Sequence, residues 1–185
     1  MIKLIGGNTL MKYWLIISLM MATAGTSTAM ADLRTARHVL PEAELVGEGR
    51  FKILFWNVFD AALYTPHGSW SEEQPFALSL AFHRDLHSER IVEKSIEHMR
   101  RLGADDETRL ALWSRDIASI LPDVDHGTTI TGVVDEDGYT RFFENGRPIG
   151  VIHDEEFGKR FLDVWLGEQA SLPKLRTQLL GETAS

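Results

Sequence analysis

The chain contains no cysteine. That excludes disulfides, thiolate chemistry and Cys-ligated zinc or iron–sulfur sites, so a packed core alone must hold the fold. It also has no Asp or Glu before Asp32. Two of its 19 basic residues, Lys3 and Lys12, lie in that opening stretch. This leaves 17 bases against 27 acids downstream, a net charge of −10 compared with −8 for the whole chain. An acidic chain without a basic stripe has nothing to neutralise a row of phosphates, which argues against nucleic acid as a partner. Methionine is scarce beyond the same boundary, where Met99 stands alone. There is no internal repeat and no low-complexity segment. After the opening, no apolar run approaches the ~20 residues a bilayer requires.

The opening itself carries a leader pattern. Lys12 supplies a positive start, Tyr13 to Ala24 an apolar run, and Thr28-Ala-Met-Ala31 a small-x-small cleavage pattern. These features predict a signal peptide over residues 1–31, cut after Ala31, and a periplasmic mature chain beginning at Asp32. An uncleaved anchor is the alternative, and the shortness of the run argues against it. Met11 opens a more typical leader than Met1 does. The remaining 154 residues suit one domain with a real core. Residues 32–44 read as loosely ordered, and residues 45–185 as the domain.

Residues 45–65 read as β, with Gly47 and Gly49 at the start, the aromatic and β-branched run Phe51 to Phe59 following, and Asp60 to Tyr64 continuing it. Pro66-His-Gly68 ends this region. In Phe76 to His83, the residues Phe76, Leu78, Leu80 and Phe82 share one face at period two. The period then changes. Ser88 is expected to cap a helix reaching Leu102, with Ile91, Ser95, Ile96 and Met99 inward. Asp105 or Asp106 caps a second helix with the stripe Leu110, Trp113, Ile117 and Ile120, stopped by Pro122. Residues 128–152 return to β through a turn at Asp135 to Gly138 and an Asn145-Gly146 hairpin signal. Asp154 caps a helix over Phe157, Phe161, Val164 and Trp165, and Ser171 caps a last one ending at Gly181. Antiparallel hairpins with helices grouped apart predict an α+β fold, one sheet with helices on one face.

Several pieces resemble the bacterial, exported branch of the chalcone isomerase-like proteins: Val46-Gly-Glu-Gly49, Phe59 to Tyr64, Phe143 to Gly150, Asp154 to Phe157, Phe161 to Gly167 and Leu175 to Gly181. The resemblance implies an open-faced β-sandwich, an antiparallel sheet packed against helices with a ligand cleft between them. Plant members that are enzymes cyclise a chalcone to a flavanone, while others lack that activity and some bind fatty acids, so fold alone does not choose. The resemblance also implies a catalytic Arg, Thr and Tyr. None transfers. Val58 or Phe59 stands where the Thr belongs, the acidic Pro41-Glu-Ala-Glu44 where the Arg belongs, and Ser88 to Val92 contains no Tyr.

Local candidates remain. His83 and His87 are four apart, but a strand His and a pre-helix His without a third ligand read as a polar turn rather than a metal site. Arg84 leaves an apolar strand just before a helix N-terminus, where a guanidinium and helix N–H groups suit a carboxylate. The competing reading is a salt bridge to Asp85, Glu89 or Asp60. Tyr64 reads as a core aromatic or a weaker cleft partner, and Asn57 as a polar residue at a cavity border or on the solvent face. Trp56, Trp113 and Trp165 read as core. Asp135-Glu-Asp137 is too short for a calcium loop, and Ser69 and Ser71 lack a nucleophile-elbow pattern.

The expected protein is periplasmic, lacks catalytic activity and needs no cofactor or metal. It binds a small amphipathic ligand such as a fatty acid through Arg84, Tyr64, Asn57 and His83. Once its leader is cut it has no stable membrane insertion. Two alternatives stand beside it. One is an isomerase or intramolecular lyase acting on an enone-like substrate through His83, Arg84 and Asn57. The other is an envelope interaction module without a small ligand.

Overall fold

The computed structural model describes residues 26–72, 74–170 and 172–182. The apolar run of the leader and the Ser171 cap lie outside them. Helix α1 (Thr26–Arg37) leads into β1 (Ala43–Ile53), β2 (Trp56–Pro66) and β3 (Phe76–Phe82). Helices α2 (Ser88–Arg101) and α3 (Glu107–Ile120) follow, then β4 (Thr129–Val134), β5 (Thr140–Glu144) and β6 (Arg147–Ile152), and finally α4 (Glu155–Leu166) and α5 (Pro173–Leu179). The six strands form one antiparallel sheet in chain order. The α+β open-faced architecture expected from the sequence is the one observed.

One sheet face carries Phe76, Leu78 and Phe82 into a core shared with α2 to α5. Phe157 and Phe161 of α4 pack there with Phe142 of β5 at ring separations of 6.0–6.3 Å. The other face is built from smaller side chains, Ala62, Ala77 and Val133, with Tyr64 and Phe143, and is partly covered by Ala36 and Leu40. Helices therefore lie on both faces, not one. Residues 32–44 lie along that face. They finish α1, turn at residues 38–42 and start β1, because Ala36, Leu40 and Ala43 have apolar sheet to bury against.

Local signals explain most boundaries. Asp106 accepts a hydrogen bond from the Arg109 N–H and caps α3, and Asp154 accepts from Glu156 and Phe157 and caps α4. Asn145 and Gly146 both have positive φ, as a type I′ turn requires. Asp135 holds the preceding turn by accepting from the Asp137 and Tyr139 N–H groups. Gly47 and Gly49 let β1 touch α5: a Cβ on Gly47 would lie 2.3 Å from the Gln178 carbonyl oxygen.

One expectation fails for a nonlocal reason. Ser88 does not cap α2. It is the first helical residue, and its N–H and hydroxyl both donate to Asp123, which arrives from the far end of α3. The β region 45–65 is a hairpin, turning at Leu54-Phe55 between paired Ile53 and Trp56.

On α1, Asp32 is only 7% exposed, and burial raises its carboxyl to about 6. Burial, with the Asp32 charge beside it, also pushes the Tyr64 phenol above its ordinary value. A raised carboxyl pKa destabilises the fold once the unfolded chain ionises. The contribution is therefore absent below pH 4, grows as pH rises to 6, and levels off near a ceiling of about 3 kcal/mol at 1.36 kcal/mol per unit. In the full chain, Asp32→Asn is expected to open a melting-temperature advantage over the parent between pH 4 and 6. Parallel melting curves across that window check it, and a constant difference would remove Asp32 as the cause.

Candidate functional site

Between the sheet and its helical cover lies a narrow apolar cavity of about 50 Å³. Leu80 and Phe82 of β3, Ile130 of β4 and Phe142 of β5 form its floor. Ile91, Ser95 and Met99 of α2, Ile117 of α3, and Phe161 and Trp165 of α4 form its roof. Gly132 lets the Phe161 ring close onto the floor, since a Cβ there would meet that ring at 3.1 Å. Leu80 is on an inner strand and Phe161 faces the core, yet both are only partly buried, as are Ile91, Ser95, Leu121 and Pro122 in the same wall. Solvent thus reaches the interior between the layers.

The wall holds two polar groups of interest. Ser95 spends its hydroxyl proton on the Ile91 carbonyl of its own helix at 2.8 Å. Trp165 stacks edge-on against Phe59 at 5.8 Å, and its indole Nε1 is shut off from solvent without a hydrogen-bond partner among the described residues. An indole N–H is a donor only, and leaving it unpaired costs about 1–3 kcal/mol. Sequence reasoning assigned Trp165 to the core. Nothing in its spacing could reveal an orphaned donor, because that depends on what α4 meets across the gap.

The four residues expected at a ligand head lie elsewhere, and none lines the cavity. Tyr64 is buried on the opposite face, beneath α1. His83, just past β3, places Nε2 3.0 Å from Asp60 of β2. Asp60 also receives the Arg50 fork, with Nη2 to Oδ2 at 2.8 Å. Arg50 holds the Asp60 carboxyl below its usual range; partial burial works against this and His83 adds to it. Arg84 makes no ion pair among the described residues. Its guanidinium lies over the Trp56 ring, 4.2 Å from the centroid. Asn57, partly exposed, pairs across the hairpin with Lys52. Three of the four are thus gathered where the β1–β2 hairpin meets the end of β3. Trp56 belongs to that cluster rather than to the core, being 60% exposed. His87 bonds Asp123 at 3.1 Å. No group of three or more His, Cys, Asp or Glu among the described residues is placed to hold a metal.

An antiparallel meander with a helical cover and an apolar interlayer cavity defines an open-sheet α+β protein. Within that class, this chain belongs to the chalcone isomerase-like family, whose sequence model matches residues 33–181. An uncharacterized protein of Haemophilus influenzae is 24% identical over 132 residues, a stretch that is 70% of this chain and 64% of that relative. The crystal structure of an Arabidopsis thaliana fatty-acid binding protein superposes with a TM-score of 0.58 at 14% identity, over 75% of this chain and 87% of the plant one. At that identity the likeness establishes the fold alone. Val58 and Phe59, which stand where the resemblance expects a catalytic Thr, are both buried in the main core.

Proposed function

We propose that this is an exported, non-catalytic chalcone isomerase-like protein that binds a small amphipathic ligand, of the fatty-acid class, between its sheet and helices. The observation that carries this reading is the apolar cavity between sheet and helices, lined by Trp165, whose indole N–H has no partner among the described residues. A carboxylate or carbonyl oxygen supplies the missing acceptor, and an alkyl chain suits the Phe, Leu and Ile lining. The fatty-acid binding protein of the same fold supports the ligand class. That none of the family's catalytic Arg, Thr and Tyr stands at its matching position supports a binder over an isomerase, and the leader pattern supports export to the periplasm.

The cavity as it stands admits roughly three to five water-sized groups. A long acyl chain therefore requires α2 and α4 to move away from the sheet, an opening favoured by the partial solvent access of Leu80 and Phe161. Native mass spectrometry of the full chain is expected to show a co-purified acidic lipid, or uptake of added palmitate. Trp165→Phe keeps the ring and deletes the donor. Losing a hydrogen bond to a charged group, about 1.5–3 kcal/mol, lowers occupancy some 10- to 100-fold. A parent protein that carries no lipid and takes up no palmitate sinks the proposal.

A further inference from the structure

The tip of the β1–β2 hairpin presents four large apolar residues in succession to solvent. Ile53 is 55% exposed, Leu54 84%, Phe55 96% and Trp56 60%. A soluble surface scatters such residues singly, and a contiguous apolar tip marks an interaction site. The backbone sharpens the point. Leu54 sits at φ +54°, where Gly or Asn costs less, and two-residue hairpin turns ordinarily use them. Nothing in the fold calls for a leucine there, since its side chain packs on almost nothing.

The surroundings identify what the tip meets. Arg84 covers one face of Trp56, and Lys52 precedes the apolar run. Neither is in an ion pair among the described residues. The nearby carboxylates are already engaged: Asp60 by Arg50 and His83, Asp85 by the His126 N–H. A chain of net charge −8 thus places available cations beside its most exposed apolar residues. A convex tip needs no complementary pocket in its partner. Apolar and aromatic residues that enter an acyl layer, with cations left at phosphate depth, match a bilayer surface rather than a protein groove.

We propose that the Ile53–Trp56 tip docks shallowly into an anionic phospholipid surface, with Lys52 and Arg84 at the headgroups. This is peripheral docking by a turn; no helix among the described residues is long and apolar enough to span a membrane. The inference does not depend on what the interlayer cavity holds.

Because the chain lacks cysteine, one introduced thiol is a unique handle. The full chain is labelled with an environment-sensitive dye at Leu54→Cys, or at Glu136→Cys in the turn at the opposite end of the sheet, and mixed with phosphatidylethanolamine–phosphatidylglycerol vesicles. The dye at position 54 is expected to shift blue and brighten at least threefold, and the dye at 136 to stay unchanged. Adding Phe55→Ser, or Lys52→Glu, reduces the response at 54 at least threefold at an unaltered melting temperature. A smaller response on phosphatidylcholine vesicles supports the role of the cations. An unmoved dye at 54, or equal responses at both positions as a leader-held chain would give, overturns the proposal. So does a shift at 54 that tracks protein concentration without lipid, which would mean a contact between copies.

Discussion

Ser95→Leu is expected to abolish ligand occupancy while leaving the protein as stable as before. Ser95 stands in the α2 wall of the interlayer cavity, and the substitution places three carbons where one hydroxyl oxygen sat. They fill the void of about 50 Å³ from which the opening for an acyl chain must start, so the chain and the leucine compete for the same space. The lost hydroxyl bond is local, to the carbonyl one turn back, and such back-bonding contributes little to a helix. Leucine is also the better helix former, and each added buried methylene is worth about 0.8 kcal/mol. Overpacking offsets part of that, by about 1–3 kcal/mol in a tight core. The expected outcome is a melting temperature near that of the parent with palmitate binding reduced at least 100-fold. The two readouts separate a blocked cavity from a damaged fold. Undiminished binding by Ser95→Leu would move the ligand outside the cavity altogether.

Trp113→Ala is expected to be the most destabilising single change among the core aromatics. Trp113 is 2% exposed and meets Phe157 edge-on at 5.7 Å. Its Nε1 donates to Asp154 Oδ2 at 2.9 Å, while the other oxygen of that carboxylate caps α4. One side chain therefore fills the core under α3 and steadies the first turn of α4. Truncating a buried Trp costs about 3–5 kcal/mol. The lost bond to a charged acceptor falls within that figure, because the half-exposed turn leaves Asp154 open to water. For a domain of this size, each kcal/mol lowers the melting temperature by roughly 2–4 °C. A drop of roughly 10 °C is expected for Trp113→Ala, and less than half of that for Trp113→Phe, which retains the ring contact. Equal losses for the two would assign the effect to the Asp154 bond alone.

The cavity and the hairpin tip lie in the same molecule without sharing a residue. A binder of acyl ligands that also rests on a lipid surface would exchange its cargo there, but each proposal is tested by its own variants. Ser95→Leu leaves the tip intact, and Phe55→Ser leaves the cavity intact.

Where a structural cause is local, the sequence by itself determined the outcome. Asn145-Gly146 makes its turn because both residues tolerate positive φ. Asp106 and Asp154 cap because the N–H groups they satisfy are two or three residues away. Phe76, Leu78 and Phe82 share a face because a strand alternates. These elements, and the family motifs carried on them, were enough for the α+β sheet-and-helix class. Tertiary structure decided the features that depend on distant partners. The Leu54-Phe55 turn has no turn residue and forms because β1 and β2 find a register through ten pairs. Asp123 displaces Ser88 from its expected capping role across 35 positions of chain. Ala36, Leu40 and Ala43 find their apolar partners on a sheet face built from residues far along the chain. Arg84 and Trp56 meet on an exposed hairpin instead of at a cleft and in a core. The orphaned N–H of Trp165 is set by how α4 lies over the sheet. Period and propensity report what neighbours along the chain will do, whereas a cavity is the gap left between elements that the chain brings together only once it is folded.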